Sequence, residues 1–286
     1  MDCGENGMYR VSKVLNNNGV IAINMDENQE YVLLGKGVGF GKKVSQRFEA
    51  PAECTLYRLA QDTERGSAKE LVKGMDPEFL EIADEILKEA EKTFGESLDR
   101  KILFPLADHI AFAVARIRRN EQISNPLTED IKVLFYSEFK VAEILKKILM
   151  ERYGIQIDDN ETGYVALHIH SALGDEKVSV AMQTARAVRE CIRMIEKATG
   201  KTIDVISLSY NRLMNHVKYM VARASTGETL KLDMNDYIEE KYPGSYQIAA
   251  DVCRSLGRSL GRDLDETEIG YLAIHIERVY VDEEKK

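Results

Sequence analysis

The sequence predicts a multidomain chain, with a small strand-rich segment at its N-terminus followed by two homologous all-α domains. Three observations predict this. Up to about residue 50, short runs rich in Val, Ile, Leu and Tyr are separated by turn-forming residues. From Asp76 onward the apolar residues recur with helical period. The helical part also repeats itself at one constant offset.

The strand candidates are Tyr9 to Leu15, Gly19 to Asn24 and Tyr31 to Leu34. Between and after them lie NNNG, MDENQE and GKGVGFGKK, all of turn composition. The run Asn16-Asn17-Asn18 is notable because Asn favours neither strand nor helix; its amide competes for backbone hydrogen bonds. Either these residues make a turn or their amides bind something. Residues 50 to 72 show little periodicity and read as a loose edge and linker. Asp76 is a candidate N-cap with Pro77 at the first helical position. Phe79, Ile82, Ala83, Ile86, Leu87 and Ala90 then form an amphipathic stripe.

Helical patterns continue to the end, and they are duplicated. DHIAFAVAR (108–116) resembles NHVKYMVAR (215–223). ETGYVALHIH (161–170) resembles EIGYLAIHIE (268–277), with six of ten positions identical. Phe139-KVA lines up with Tyr246-QIA, and all three matches share an offset of 107 residues. That period is too long for a solenoid repeat, so it marks a duplicated domain. The expected domains are 1–62, a linker 63–71, 72–178 and 179–286.

No apolar run approaches the roughly 18 residues of a membrane span, and the N-terminus lacks a signal-peptide core. Cys3, Cys54, Cys191 and Cys253 are scattered, which suits a reduced cytoplasmic protein. The net charge of −9 argues against a generic polyanion binder. Yet residues 8–48 carry Arg10, Lys13, Lys36, Lys42, Lys43 and Arg47 against Asp26, Glu27 and Glu30, a net +3 that leaves −12 elsewhere. A basic module on an acidic body is a different object from a uniformly acidic chain.

Four of the five histidines, His109, His168, His216 and His275, fall at repeat-equivalent positions, 59 residues apart within each domain. Repeats that differ at most positions agree on these, which argues against simple packing. Asp158-x-x-Glu161 and Asp265-x-x-Glu268 have the pattern of an N-cap followed by Glu. The context places the histidines at exposed helix surfaces near carboxylates such as Asp108. His168-x-His170 could be half of a metal site, but Glu277 replaces His170 in the second repeat and no further ligand set is visible. The other reading is that a neutral imidazole accepts a phosphoryl group.

KVLNNNGVIAI followed by LLGKGVGFGKK resembles the RNA-binding domain of the BglG/SacY-type transcriptional antiterminators, most closely the glucose-type members. DHIAFAVARIR with GYVALHIHSAL is similar to their first PRD, the phosphotransferase-system regulation domain; NHVKYMVAR with GYLAIHIERV is similar to the second. The resemblance spans about Met8 to Tyr280. It implies a small all-β antiparallel four-stranded RNA-binding domain followed by two homologous all-α helical-bundle PRDs. It also implies a homodimer that grips an RNA hairpin in a leader transcript and stops a terminator from forming ahead of sugar-uptake genes. RNA contacts carry over to Lys13, Asn16, Asn18, Gly35, Lys36 and Phe40, with Asn17, Lys42 and Lys43 as helpers. Phosphorylation carries over to His109, His168, His216 and His275, with HPr and the sugar-specific EIIB as donors, and His170 is left structural. No cofactor, metal, enzymatic activity or membrane insertion is implied. A PRD-containing DNA-binding activator would need a helix-turn-helix, which the strand-rich start does not show. A metal-dependent hydrolase would need ligands converging within one domain.

Overall fold

The computed structural model describes residues 7–59, 62–63, 66–121, 123–174, 177–204 and 207–283. Cys3 and the rest of residues 1–6 lie outside the described residues. The chain forms two compact units. The first runs to Thr128 and resumes over Phe135–Val178; the second takes Glu129–Leu134 and continues from Ser179.

The first unit begins with β1 (Met8–Asn16), β2 (Gly19–Asn24), β3 (Glu30–Leu34), β4 (Arg47–Glu49) and β5 (Thr55–Arg58). They form one antiparallel sheet in the order β4-β1-β2-β3-β5. The sheet thus has five strands rather than the four that the resemblance implied. β5 falls in the stretch that reads as loose edge. Its four residues, TLYR, bury Thr55 and Tyr57 and present too short an alternation to stand out. Two further short strands, β6 (Asp62–Thr63) and β7 (Gly66–Ser67), pair with each other and lead into α1 (Ala68–Gly74). Alternate residues of β1 and β2, among them Tyr9, Val11, Val20 and Ala22, pack with Leu33, Val38 and Phe48 as the core of the sheet.

α2 (Pro77–Phe94) starts where the sequence predicts: the Asp76 side chain accepts from the Glu78 N–H at 3.0 Å, and Pro77 follows it. Gly95 ends the helix in the left-handed region, φ 71°. The expected stripe from Phe79 to Ala90 is buried. After it come a 3₁₀ turn (Arg100–Ile102), α3 (Leu103–Arg118), α4 (Thr128–Leu134), α5 (Tyr136–Ala142), α6 (Ile144–Tyr153) and α7 (Asp159–Gly174). α4 belongs almost wholly to the second unit, where Val133 and Leu134 pack on its core. That unit continues with α8 (Val178–Thr199), α9 (Leu208–Thr226), α10 (Asn235–Lys241), α11 (Pro243–Leu260) and α12 (Thr267–Glu283). Val188, Cys191, Leu213, Val217, Val252 and Leu272 lie at its centre. Among the described residues, no helix is long and apolar enough to cross a membrane.

Candidate functional site

Two kinds of site emerge, one on the sheet and one in each helical region. On the sheet, the three asparagines close the β1–β2 hairpin. The Asn16 side-chain oxygen accepts from the Asn18 N–H at 2.9 Å, an Asx turn. The Asn18 side-chain oxygen accepts from the Gly37 N–H at 3.0 Å. Two backbone bonds complete the stitching: Gly35 N–H to the Asn18 carbonyl and Gly39 N–H to the Asn17 carbonyl, both 2.9 Å. The triplet and the GKGVGFG loop are therefore one structure. A Cβ on Gly39 would lie 2.0 Å from the Asn16 carbonyl oxygen, so glycine is needed there for close backbone approach.

This stitching fixes which way each amide faces. Backbone N–H groups can be met only by an amide oxygen, so the Asn16 and Asn18 NH₂ groups must point away from the turn. Asn17 is exposed, as are Lys36 and Lys43. Phe40 is 73% exposed, its ring unsupported by the core. Lys42 instead lies over the Phe48 ring, 4.9 Å from its centroid. Lys13 is not part of this cluster; it is exposed on β1 beside a depression lined by Ser12, Ile21 and Glu30.

In the first unit α3 and α7 bring His109 and His168 together, with ring centroids 5.6 Å apart. Both are buried, at 6% and 5% exposure, which corrects the expectation of exposed helix surfaces. The rings lie in the seam where the helices pack. The acid beside His109 is Glu161 of α7: its Oε2 is 3.3 Å from His109 Nε2, close but not aligned as a hydrogen bond. Arg116, two turns along α3, donates to Glu161 Oε1 at 2.8 Å. Burial raises the Glu161 carboxyl, but His109 and Arg116 outweigh it and hold the group below its usual range.

The second unit repeats the constellation on α9 and α12. His216 and His275 stack with centroids 4.9 Å apart, and His216 Nε2 is 3.5 Å from Glu268 Oε2. Arg223 donates to both oxygens of Glu268, at 2.6 and 2.9 Å. Burial, helped by His275 and Arg223, pushes His216 down to about 3. Burial, helped by Arg278 and Arg212, pushes His275 down to about 4. Both rings of this unit are therefore neutral at pH 7, the form in which an imidazole nitrogen is nucleophilic. Among the described residues no three His, Cys, Asp or Glu side chains are grouped to hold a metal ion.

Comparison with known proteins bears on both sites. Residues 9–65 match the CAT RNA binding domain, and residues 53–172 and 189–279 match the PRD domain. Protein GlcT of Staphylococcus haemolyticus is 30% identical over 94% of this chain and 95% of its own length. The chain belongs to the CAT–PRD family of antiterminators. The glcA/glcB genes antiterminator of Staphylococcus carnosus is 28% identical over 97% of this chain and 98% of its own. A crystal structure of GlcT CAT-PRDI, 33% identical, aligns with a TM-score of 0.51 over 59% of this chain and 99% of that one.

In this CAT–PRD chain the sequence reading missed Arg116, Glu161, Arg223 and Glu268. Glu161 and Glu268 read as the reciprocal acids of capping boxes. Asp158 does cap α7, accepting from the Asn160 and Glu161 N–H groups, but the Glu161 side chain turns instead to His109 and Arg116. The signal was available, since both Arg and both Glu keep the 107-residue offset. His170 pairs with Glu138 at 2.8 Å and packs on Phe135. The equivalent positions, 107 residues on, hold Glu277 bonded to Ser245 at 2.7 Å. The contact persists with the carboxylate moved to the other helix.

Proposed function

We propose that the chain acts on an RNA hairpin in the leader of sugar-uptake phosphotransferase genes and keeps the overlapping terminator from forming. The supporting observation is the hairpin–loop unit, in which Asn16 and Asn18 aim their NH₂ groups outward while Phe40 stands exposed nearby in sequence. Amide donors suit base edges and phosphate oxygens, and unstacked bases in bulges are where RNA sequence can be read. Phe40 supplies a stacking face. Lys36 and Lys43 supply the salt-dependent phosphate attraction, with Asn17, Gly35, Lys13 and Lys42 as further contacts. The working form is a cytoplasmic homodimer, divided as 1–62, 72–178 and 179–286. Its control comes from phosphorylation of His109 and His168 in the first PRD and of His216 and His275 in the second, by EIIB and HPr. A phosphoryl group adds about −1.5 to −2 charges, by analogy with phosphorylated hydroxyls. Placed beside Glu161 or Glu268, that charge competes for Arg116 or Arg223 and repels the carboxylate.

The test is a binding titration of the full chain with the leader hairpin of its own operon, wild type against Phe40→Ala. Stacking worth about 1–3 kcal/mol per base predicts a loss of roughly five- to 150-fold. Because Phe40 touches little of the core, thermal stability should not change. Equal, salt-insensitive binding by both chains, or none by either, overturns the proposal.

A further inference from the structure

The two outward-facing amides are already occupied. The Asn16 side-chain nitrogen donates to Glu81 Oε1 at 2.6 Å, and the Asn18 side-chain nitrogen donates to Glu81 Oε2 at 3.0 Å. Glu81 lies on α2, sixty-five and sixty-three residues away in sequence. One carboxylate thus spans both donors, each oxygen taking one amide. Resting on the RNA-binding reading above, we infer that α2 of the first PRD is an internal competitor for the RNA-reading edge, with the Glu81 carboxylate standing where an RNA acceptor group would sit.

Three features single out Glu81. First, its neighbours on α2 have cations: Asp84 pairs with Lys88, Glu85 with Arg152 and Glu89 with Lys92. Among the described residues, the side-chain partners of Glu81 are the two amides. Second, its position is set by packing, because Leu80 and Ile82 on either side are fully buried. The contact is therefore not the drift of a loose surface side chain. Third, the sheet is anchored to the helices close by. Tyr57 of β5, 1% exposed, donates to Asp84 at 2.5 Å and meets Phe104 edge-on at 6.4 Å.

The surroundings match the chemistry. Asn18, Gly35 and Lys36 from the sheet share a cleft of 460 Å³ with Glu81, Glu85 and Glu89 from α2. That is small-ligand size, so a folded RNA stem does not enter while α2 stays in place. The acids recur at every fourth residue and so present one face. A carboxylate resembles a phosphate in charge sign and acceptor geometry, and amide donors accept either. RNA must therefore displace Glu81 to reach Asn16 and Asn18, and any change that draws α2 from the sheet raises RNA affinity.

The experiment measures leader-hairpin affinity for four full-length chains: wild type, Glu81→Ala, Glu81→Gln and Glu89→Ala. Losing two charge-assisted bonds from the closed arrangement should raise affinity about tenfold in Glu81→Ala. Glu81→Gln, which offers one acceptor oxygen and no charge, should gain less. Glu89→Ala removes the same charge from the same helix without touching the amides and should gain less than twofold. A side-chain NH₂ spectrum of ¹⁵N-labelled protein should show the Asn16 and Asn18 signals moving in Glu81→Ala and not in Glu89→Ala. Tight binding by wild type with no gain in Glu81→Ala overturns the inference alone, as does an equal gain in Glu89→Ala. No RNA binding by any of the four overturns the RNA-binding reading and this inference with it.

Discussion

Replacing Glu268 by Gln tests whether the histidine clusters rest on their buried ion pairs. The Glu268 side chain is 2% exposed and the Arg223 side chain 16%. The substitution keeps the shape of the side chain and removes its charge. Arg223 then loses its charged partner and at least one of two bonds, at 2.6 and 2.9 Å, because Gln offers a single acceptor oxygen. Breaking a buried pair by removing one partner costs about 3–5 kcal/mol, because the other charge is left uncompensated. With Arg223 a little exposed, the lower end of that range, about 3 kcal/mol, is expected. Two compact units need not unfold together, so one midpoint is not the right readout. Native-state hydrogen exchange on α9 and α12 reports the local cost directly. The double substitution Arg223→Met with Glu268→Leu removes both charges and should recover most of the loss. Glu161→Gln in the first unit should cost less, since Arg116 makes one bond to it rather than two. A cost below about 1 kcal/mol for Glu268→Gln would refute the reasoning, as would a double variant less stable than the single one.

Two further outcomes follow from the same geometry. The second unit should lose stability on acidification. His216 and His275 titrate near 3 and 4 when folded and near 6.5 when unfolded, so their contribution is intact above about 6.5 and lost as pH falls from there toward 4. The unfolded chain binds the extra protons in that window, and the loss between pH 7 and pH 5 should be roughly 2–4 kcal/mol for the pair. Urea titrations across that range check it, and a profile unchanged in His216→Gln counts against the assignment. On the sheet, Gly39→Ala should destabilise the hairpin–loop unit by about 1–3 kcal/mol, because the new methyl meets the Asn16 backbone rather than a movable side chain. Gly37→Ala, with open space but φ +73°, should cost only the left-handed penalty of about 1–2 kcal/mol. Backbone amide shifts of Asn16 to Gly19 distinguish the two, and an intact loop in Gly39→Ala would contradict the close approach.

Local rules already written in the chain decide much of this protein. Runs rich in Val, Ile, Leu and Tyr between turn-forming residues placed β1, β2 and β3; Asp76, Pro77 and the apolar stripe placed α2. A 107-residue offset revealed two helical domains and paired four histidines across them. Each of these signals depends on residues within a few positions of one another, or on the chain being compared with itself. β5 escaped because four residues carry too little alternation, and its place beside β3 is a non-local pairing. The asparagines posed a choice between turn and ligand. The tertiary structure shows that the Asn16 and Asn18 oxygens hold the turn and their nitrogens face away from it: Asn16 accepts from Asn18 within the hairpin, while the donor that Asn18 meets belongs to a loop nearly twenty residues on.

The partners of the histidines could not be read locally either. Glu161 reaches Arg116 across 45 residues, and Glu268 reaches Arg223 across the same separation. A capping pattern and a helix-packing partner look alike in sequence; only the approach of α7 to α3, and of α12 to α9, decides which donor the carboxylate meets. Glu81 is the clearest case. Its position on the exposed side of an amphipathic helix reads as ordinary solvated charge. Its contact with Asn16 and Asn18 exists because buried neighbours fix the helix against the sheet, and burial is a property of the folded chain rather than of any short stretch of it.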